Sequence, residues 1–133
     1  MYTILKGDVM YYCPLAKAFF LLRANYLIIV DTKERRLSLL INNKIIKSYK
    51  VGVGKPSTPT PKGRFKIINK VINPGGPFGA RWMGLNVNGI GIHGTNSPES
   101  IGKYVSHGCI RMYNRDVIEL FNKVPIGTPV VIN

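Results

Sequence analysis

The chain has 133 residues, 45% of them apolar, which suits one domain burying its own core and excludes a wholly disordered chain. Two cysteines exclude a disulfide framework. Nineteen Lys and Arg against six Asp and Glu leave a net charge of +13, and no carboxylate falls between Glu34 and Glu99, so the middle of the chain should form a positive surface. Nucleic acid, anionic lipid, an anionic polymer or a carboxylate-rich substrate would all be drawn to it, and a surface serving solubility alone would look the same.

Residues 1–24 read as an N-terminal arm distinct from the rest. The apolar run Val9–Leu22 is broken by Pro14 and Lys17, short of the ~20 uninterrupted apolar residues that a spanning helix needs, so no stable membrane span is expected. A weak signal or anchor and an apolar arm packed on the domain are the two readings. A third starts from Tyr2-Thr3 with Gly7-Asp8, which resembles the opening of a LysM glycan-binding repeat; the segment is too short for more than a remnant. Cys13 is expected to be unpaired.

From Tyr26 the pattern is strand-like. Tyr26–Val30 is a short apolar run, Asp31–Glu34 a turn, and Arg36–Ile41 places Leu37, Leu39 and Ile41 on one face. Asn42-Asn43 tolerates positive φ and suits a hairpin turn. Lys44–Val51 returns with Ile45, Tyr49 and Val51 on one side, completing an antiparallel meander. Gly52–Gly63 holds three prolines, which fix φ and push their predecessors to extended geometry, so it reads as a stiff loop feeding a strand at Arg64–Asn69. Asn73–Met83 is glycine-rich and irregular, and Phe78 and Trp82 on it read equally as a lid over a site or as plugs in the core. Asn88-Gly89 predicts a type I′ hairpin between Gly84–Val87 and Ile90–His93. Ser97-Pro98-Glu99 starts a short helix, with Ser97 as its cap. Asn114 caps a clearer helix in which Val117, Leu120, Phe121 and Val124 recur at helical spacing. Pro129–Ile132 is a final strand.

The chemistry gathers at Ser106-His107-Gly108-Cys109-Ile110-Arg111. A thiolate is a far better nucleophile than a thiol, and an imidazole within reach can take its proton. Gly108 keeps a side chain away from the sulfur, and backbone N–H groups around Gly108-Cys109 could face an oxyanion. Arg111, two residues on, lies on the same side of an extended chain and could hold a substrate carboxylate. His107 and His93, which lies sixteen residues before Cys109, are both candidates for the base, and spacing alone does not choose. No carboxylate lies beside either except Glu99, so a backbone carbonyl is expected to orient the base. A buried, inert cysteine would show the same residue types. Zinc lacks a fourth ligand or a paired motif, so neither metal nor cofactor is expected.

His93-Gly94-Thr95 followed by Ser106–Met112 resembles the signature of L,D-transpeptidases of the YkuD type. Thr58–Phe65 and Gly75–Met83 are similar to further stretches of that family, and the resemblance runs from about Asn25 to the C-terminus, giving a catalytic domain at 25–133. It implies a mainly β fold, an antiparallel sandwich or curled barrel with one or two short helices. It implies that Cys109 attacks the L,D bond of a peptidoglycan tetrapeptide stem, releases D-Ala, and passes the acyl group to an amine of a second stem to form a 3→3 cross-link. It selects His93 as base and the Gly94 carbonyl as its orienting group. His107 and Gly108 would shape the oxyanion site, supported by Ser106 and Arg111, although some members carry Asn at the position of Arg111. Carbapenems would acylate Cys109. The expected partners are peptidoglycan stems and anionic wall polymers rather than nucleic acid, in a monomer acting outside the cytoplasmic membrane. Hydrolysis of the same thioester, as in an L,D-carboxypeptidase, and a non-catalytic wall-binding module are the competing readings.

Overall fold

A computed structural model describes residues 2–5, 8–13, 18–23 and 25–133, the first three segments as backbone alone. Those three are β1 (Tyr2–Leu5), β2 (Asp8–Cys13) and β3 (Ala18–Arg23), which pair in order as an antiparallel sheet. The readings of residues 1–24 as packed arm, LysM remnant or signal, and of Cys13 as an unpaired thiol, depend on side chains outside the described residues.

From Tyr26 onward nine strands form one sheet among the described residues. They are β4 (Tyr26–Asp31), β5 (Arg36–Ile41), β6 (Lys44–Gly54), β7 (Gly63–Ile72), β8 (Arg81–Leu85), β9 (Gly91–His93), β10 (Tyr104–Ser106), β11 (Ile110–Met112) and β12 (Pro129–Ile132). Their order is β10-β6-β11-β9-β8-β7-β12-β4-β5, and β5 pairs again with β6, which closes the sheet into a barrel with β10 as an added edge. One helix, α1 (Asn114–Lys123), packs its Val117, Leu120 and Phe121 into the core. The Lys70 ammonium, on β7, donates to the carbonyls of Phe121 and Val124 at the end of this helix, where a cation is favoured.

The mainly β barrel with one short helix is the expected class, but the sheet is mixed rather than antiparallel throughout. β4 runs parallel to β12, β9 to β11 and β6 to β10. The second of these arises because the chain leaves β9 at His93 and returns at Ile110 after a long excursion, and only a connection of a dozen residues or more lets two neighbouring strands run the same way. That excursion holds β10 and a single 3-10 turn at Pro98–Ser100, shorter than the predicted helix start, and Ser97 makes no side-chain cap.

Several local readings shift. In β6 one extra residue, Ile46, stands between Lys47 (opposite Leu39) and Ile45 (opposite Leu40). A bulge of this kind reverses the alternation of everything beyond it. Ile45 is therefore 64% exposed while Tyr49 and Val51 stay buried, and Leu40 rather than Ile41 joins Leu37 and Leu39 inside. The Asn42-Asn43 turn has φ of 50° and 65°, as its type requires. The Val87–Ile90 turn has positive φ at Gly89 but not at Asn88, the signature of type II rather than I′. The irregular stretch ends at Ala80, so Arg81, Trp82 and Met83 belong to a strand.

Candidate active site

The site lies on the outer face of β8, β9 and β11. Side chains alternate across a strand, and on these three the inner set of Met83, Ile92, Ile110 and Met112 is fully buried in the core. The register places Trp82 opposite His93 and His93 opposite Arg111, so these three form one row across the outer face. The adjacent row is Gly84 opposite Gly91, and the strand period brings Cys109 alongside it. The two glycines make room for neighbouring side chains, the Asn69 amide over Gly84 and the Trp82 indole over Gly91. A side chain on Gly91 would drive into the Trp82 ring at 2.6 Å, so glycine is what lets the indole lie there. Asn69 holds that indole by accepting from Trp82 Nε1 at 3.1 Å.

His93 is 3% exposed. Its Nδ1 lies 2.5 Å from the Gly94 carbonyl. A carbonyl can only accept, so Nδ1 carries the proton and Nε2 presents a lone pair, the tautomer a base needs. Burial pushes the imidazole down to about 4, the Arg111 charge adds to this, and the Gly94 bond opposes it. His93 is therefore neutral at pH 7. Burial also raises the Cys109 thiol, against the opposing effects of the Gly91 backbone and the Arg111 charge. Burial thus favours the neutral form of both the thiol and the imidazole. The thiol donates to the Gly89 carbonyl at 3.5 Å.

Aromatic rings surround the imidazole. Trp82 stacks on it with centroids 5.7 Å apart, and the Phe78 ring meets it edge-on at 5.1 Å and meets Trp82 at 5.3 Å. Phe78 is 41% exposed, and neither ring belongs to the buried core, so both form a wall of the site.

The loop that carries Cys109 is held from below. The Ser106 hydroxyl, 2% exposed, accepts from Gly108 N–H at 3.1 Å and donates to the Cys109 carbonyl at 2.6 Å. The Ser106 carbonyl accepts in turn from Lys55 N–H at 3.0 Å and from the Thr58 hydroxyl at 2.9 Å. The proline-rich loop thus braces the loop that carries Cys109. Because Gly108 N–H is engaged by Ser106, it does not face an oxyanion in this arrangement. Glycine at 108 answers to backbone rather than sulfur: its φ is 127°, and a side chain would meet Ile90 at 2.8 Å. His107 is exposed to solvent, whereas His93 is buried. Arg111 donates from Nη1 to the Ser100 hydroxyl at 3.0 Å, while its buried Nε has no hydrogen-bond partner among the described residues. Among those residues no three His, Cys, Asp or Glu side chains cluster as metal ligands do, and no helix is long and apolar enough to cross a membrane.

Asn114 escaped the sequence reading. The cap position of α1 is Tyr113, and Asn114 is the first helical residue. Its Oδ1 accepts from Ala80 N–H and Thr95 N–H, each at 3.0 Å, and its Nδ2 donates to the Thr95 carbonyl at 2.9 Å. These partners lie 34 and 19 residues away in the chain. An Asn opening a helix reads as a cap because its side chain favours nearby backbone, and only the fold shows that it reaches elsewhere.

Residues 25–132 match the YkuD family, described as the L,D-transpeptidase catalytic domain. The chain belongs to this family. Among curated relatives, the Bacillus subtilis protein YkuD is 56% identical over 108 residues, covering 81% of this chain and 66% of that protein. Bacillus subtilis YqjB is 42% identical over 122 residues, covering 79% of this chain and 69% of that protein. The chain thus spans about two thirds of the length of these relatives. Among solved structures, the catalytic domain of the Enterococcus faecium L,D-transpeptidase superposes with a TM-score of 0.73 at 30% identity, covering 81% of this chain and 96% of that one. An L,D-transpeptidase from Mycobacterium smegmatis shares the fold at a TM-score of 0.74 and 20% identity, over 98% of this chain and 68% of that one.

Proposed function

We propose that the chain is a cysteine-dependent peptidoglycan L,D-transpeptidase, acting outside the cytoplasmic membrane as a monomer. The observation that carries this reading is the His93 tautomer: a buried neutral imidazole, fixed by the Gly94 carbonyl, on the same face as the Cys109 thiol. A donor stem reaches Cys109 on the face of the sheet that carries Trp82 and His93. His93 Nε2 takes the Cys109 proton as Sγ bonds to the carbonyl carbon of the third stem residue. The resulting oxyanion is met by the backbone N–H of Cys109, since that of Gly108 is engaged by Ser106. As the tetrahedral intermediate collapses, the C–N bond breaks and His93 returns the proton to the departing D-Ala amine, leaving a thioester on Cys109. A side-chain amine of a second stem then attacks, His93 accepts its proton, and the thiolate leaves and is reprotonated, giving a 3→3 cross-link.

A neutral resting pair suits this sequence, because the thiolate is generated only when a substrate excludes water and the acceptor of the negative charge is in place. The Arg111 guanidinium, in the same row as His93, suits a stem carboxylate, and the +13 surface would concentrate the protein on an anionic wall. A carbapenem is expected to acylate Cys109 by the same first step; the L,D-transpeptidase LdtMt1, of the same fold, has been solved in complex with imipenem.

The test is incubation with a disaccharide-tetrapeptide and mass spectrometry of the products. Dimers joined third residue to third residue support transpeptidation. Tripeptide alone indicates that water resolves the thioester, as in a carboxypeptidase. Sacculus binding without D-Ala release would leave a wall-binding module.

A further inference from the structure

Asn114 joins three separate pieces of backbone. It opens α1, and its amide reaches the end of the aromatic loop at Ala80 and both backbone groups of Thr95. Thr95 directly follows Gly94, whose carbonyl holds the His93 proton. Gly94 N–H is bonded in turn to the Arg81 carbonyl at 3.1 Å, which ties the same turn to the start of β8. The fit is close from both sides: a side chain on either Gly79 or Gly94 would collide with Asn114 Oδ1. Ala80 ends the loop that carries Phe78, whose ring lies against the His93 imidazole.

We infer that Asn114 is a positioning residue for the base. By holding Thr95 through both its N–H and its carbonyl, it sets the direction of the preceding Gly94 carbonyl, and so keeps His93 in the tautomer with the proton on Nδ1. By holding Ala80 it keeps the Phe78 wall against the same ring. It touches neither substrate nor thiol, and it acts through Gly94. This rests on the reading of His93 as base. Helix capping cannot account for the amide, since it makes no cap hydrogen bond.

The experiment uses the full chain with Asn114→Ala and Asn114→Asp. The aspartate keeps both acceptor bonds and lacks the donated one, and it guards against a poorly folded alanine variant. Two readouts are taken: the rate of Cys109 acylation by imipenem, and the ¹⁵N signals of the His93 ring, which report tautomer directly. The expected result is acylation about 10- to 100-fold slower for alanine, the range that a misplaced catalytic group produces, with a smaller loss for aspartate. The His93 signals should move from a single Nδ1-protonated form towards a tautomer mixture. A folded variant with unchanged His93 signals, or with unchanged acylation and only a lower Tm, overturns the assignment. If the unsubstituted chain is not acylated at all, the reading of Cys109 and His93 fails, while the ¹⁵N signals still decide the role of Asn114.

Discussion

The two faces of β8, β9 and β11 obey different rules. The inner face, Met83, Ile92, Ile110 and Met112, is apolar and fully buried, and each side chain is replaceable in kind by another of similar volume. The outer face is Trp82, His93 and Arg111 with a glycine row beside it, and there each group depends on one or two specific polar partners. The inner face draws its stability from many weak contacts, so it tolerates rearrangement. The outer face draws its chemistry from a few directed bonds, so loss of one partner disorients a group without unfolding the barrel. Substitutions should therefore separate stability from activity according to which face they touch.

The sharpest separation is expected at the imidazoles. His93→Gln should slow Cys109 acylation by about 10²- to 10⁴-fold, the usual contribution of a positioned base, with the barrel intact by circular dichroism. His107→Gln, at an exposed position, should change the rate far less. If only the His107 substitution slows acylation, the comparison of buried base with exposed neighbour is broken. On the inner face Ile92→Ala, adjacent in the chain to His93, should lower stability by about 2–5 kcal/mol in denaturant unfolding, with the remaining folded fraction still reacting at Cys109. Loss of the acylation rate in the folded fraction would show that the faces are not independent.

The outer face also has a pH signature. The His93 imidazole protonates near pH 6.5 when unfolded and near pH 4 when buried. Between these values the unfolded chain binds more protons, so stability rises with pH across that window and is lost as pH falls through it. The loss is on the order of 3 kcal/mol at most by the linkage relation. Denaturant midpoints measured from pH 4 to 7 should show this slope, and His93→Gln should flatten it. Smallest is the brace beneath the nucleophile. Ser106→Ala leaves the Gly108 N–H without its acceptor, costing about 1–3 kcal/mol, and should slow acylation as well, because the Cys109 carbonyl loses its anchor. A change in Tm with no change in rate would make Ser106 structural alone.

Much of this was legible in the residues, and the exceptions have physical causes. The strands from Tyr26 to Val51 and the helix face of Val117, Leu120 and Phe121 follow from local pattern and turn chemistry. The Ile46 bulge was not legible, because an inserted residue shifts the alternation without changing composition. Nor was the parallel pairing of β9 with β11, since the connection between them holds a 3-10 turn and the short strand β10 where a crossover helix would have announced it. That pairing is what sets His93 in register with Arg111 and leaves Cys109 beside Gly91. Ser106 was read as a support for the oxyanion site, and it is seen to brace the loop through its hydroxyl and carbonyl. Asn114 read as a cap because its partners are distant in sequence.

The central claim is that Cys109 carries the acyl group between two stems, with His93 moving the proton. Acid-quenching the reaction with tetrapeptide stems and measuring the intact protein by mass spectrometry tests it most directly. The account predicts a covalent stem adduct on the fragment containing Cys109, formed as D-Ala is released, and absent from a folded Cys109→Ala variant. Release of D-Ala by that variant, or an adduct on any other residue, would contradict it.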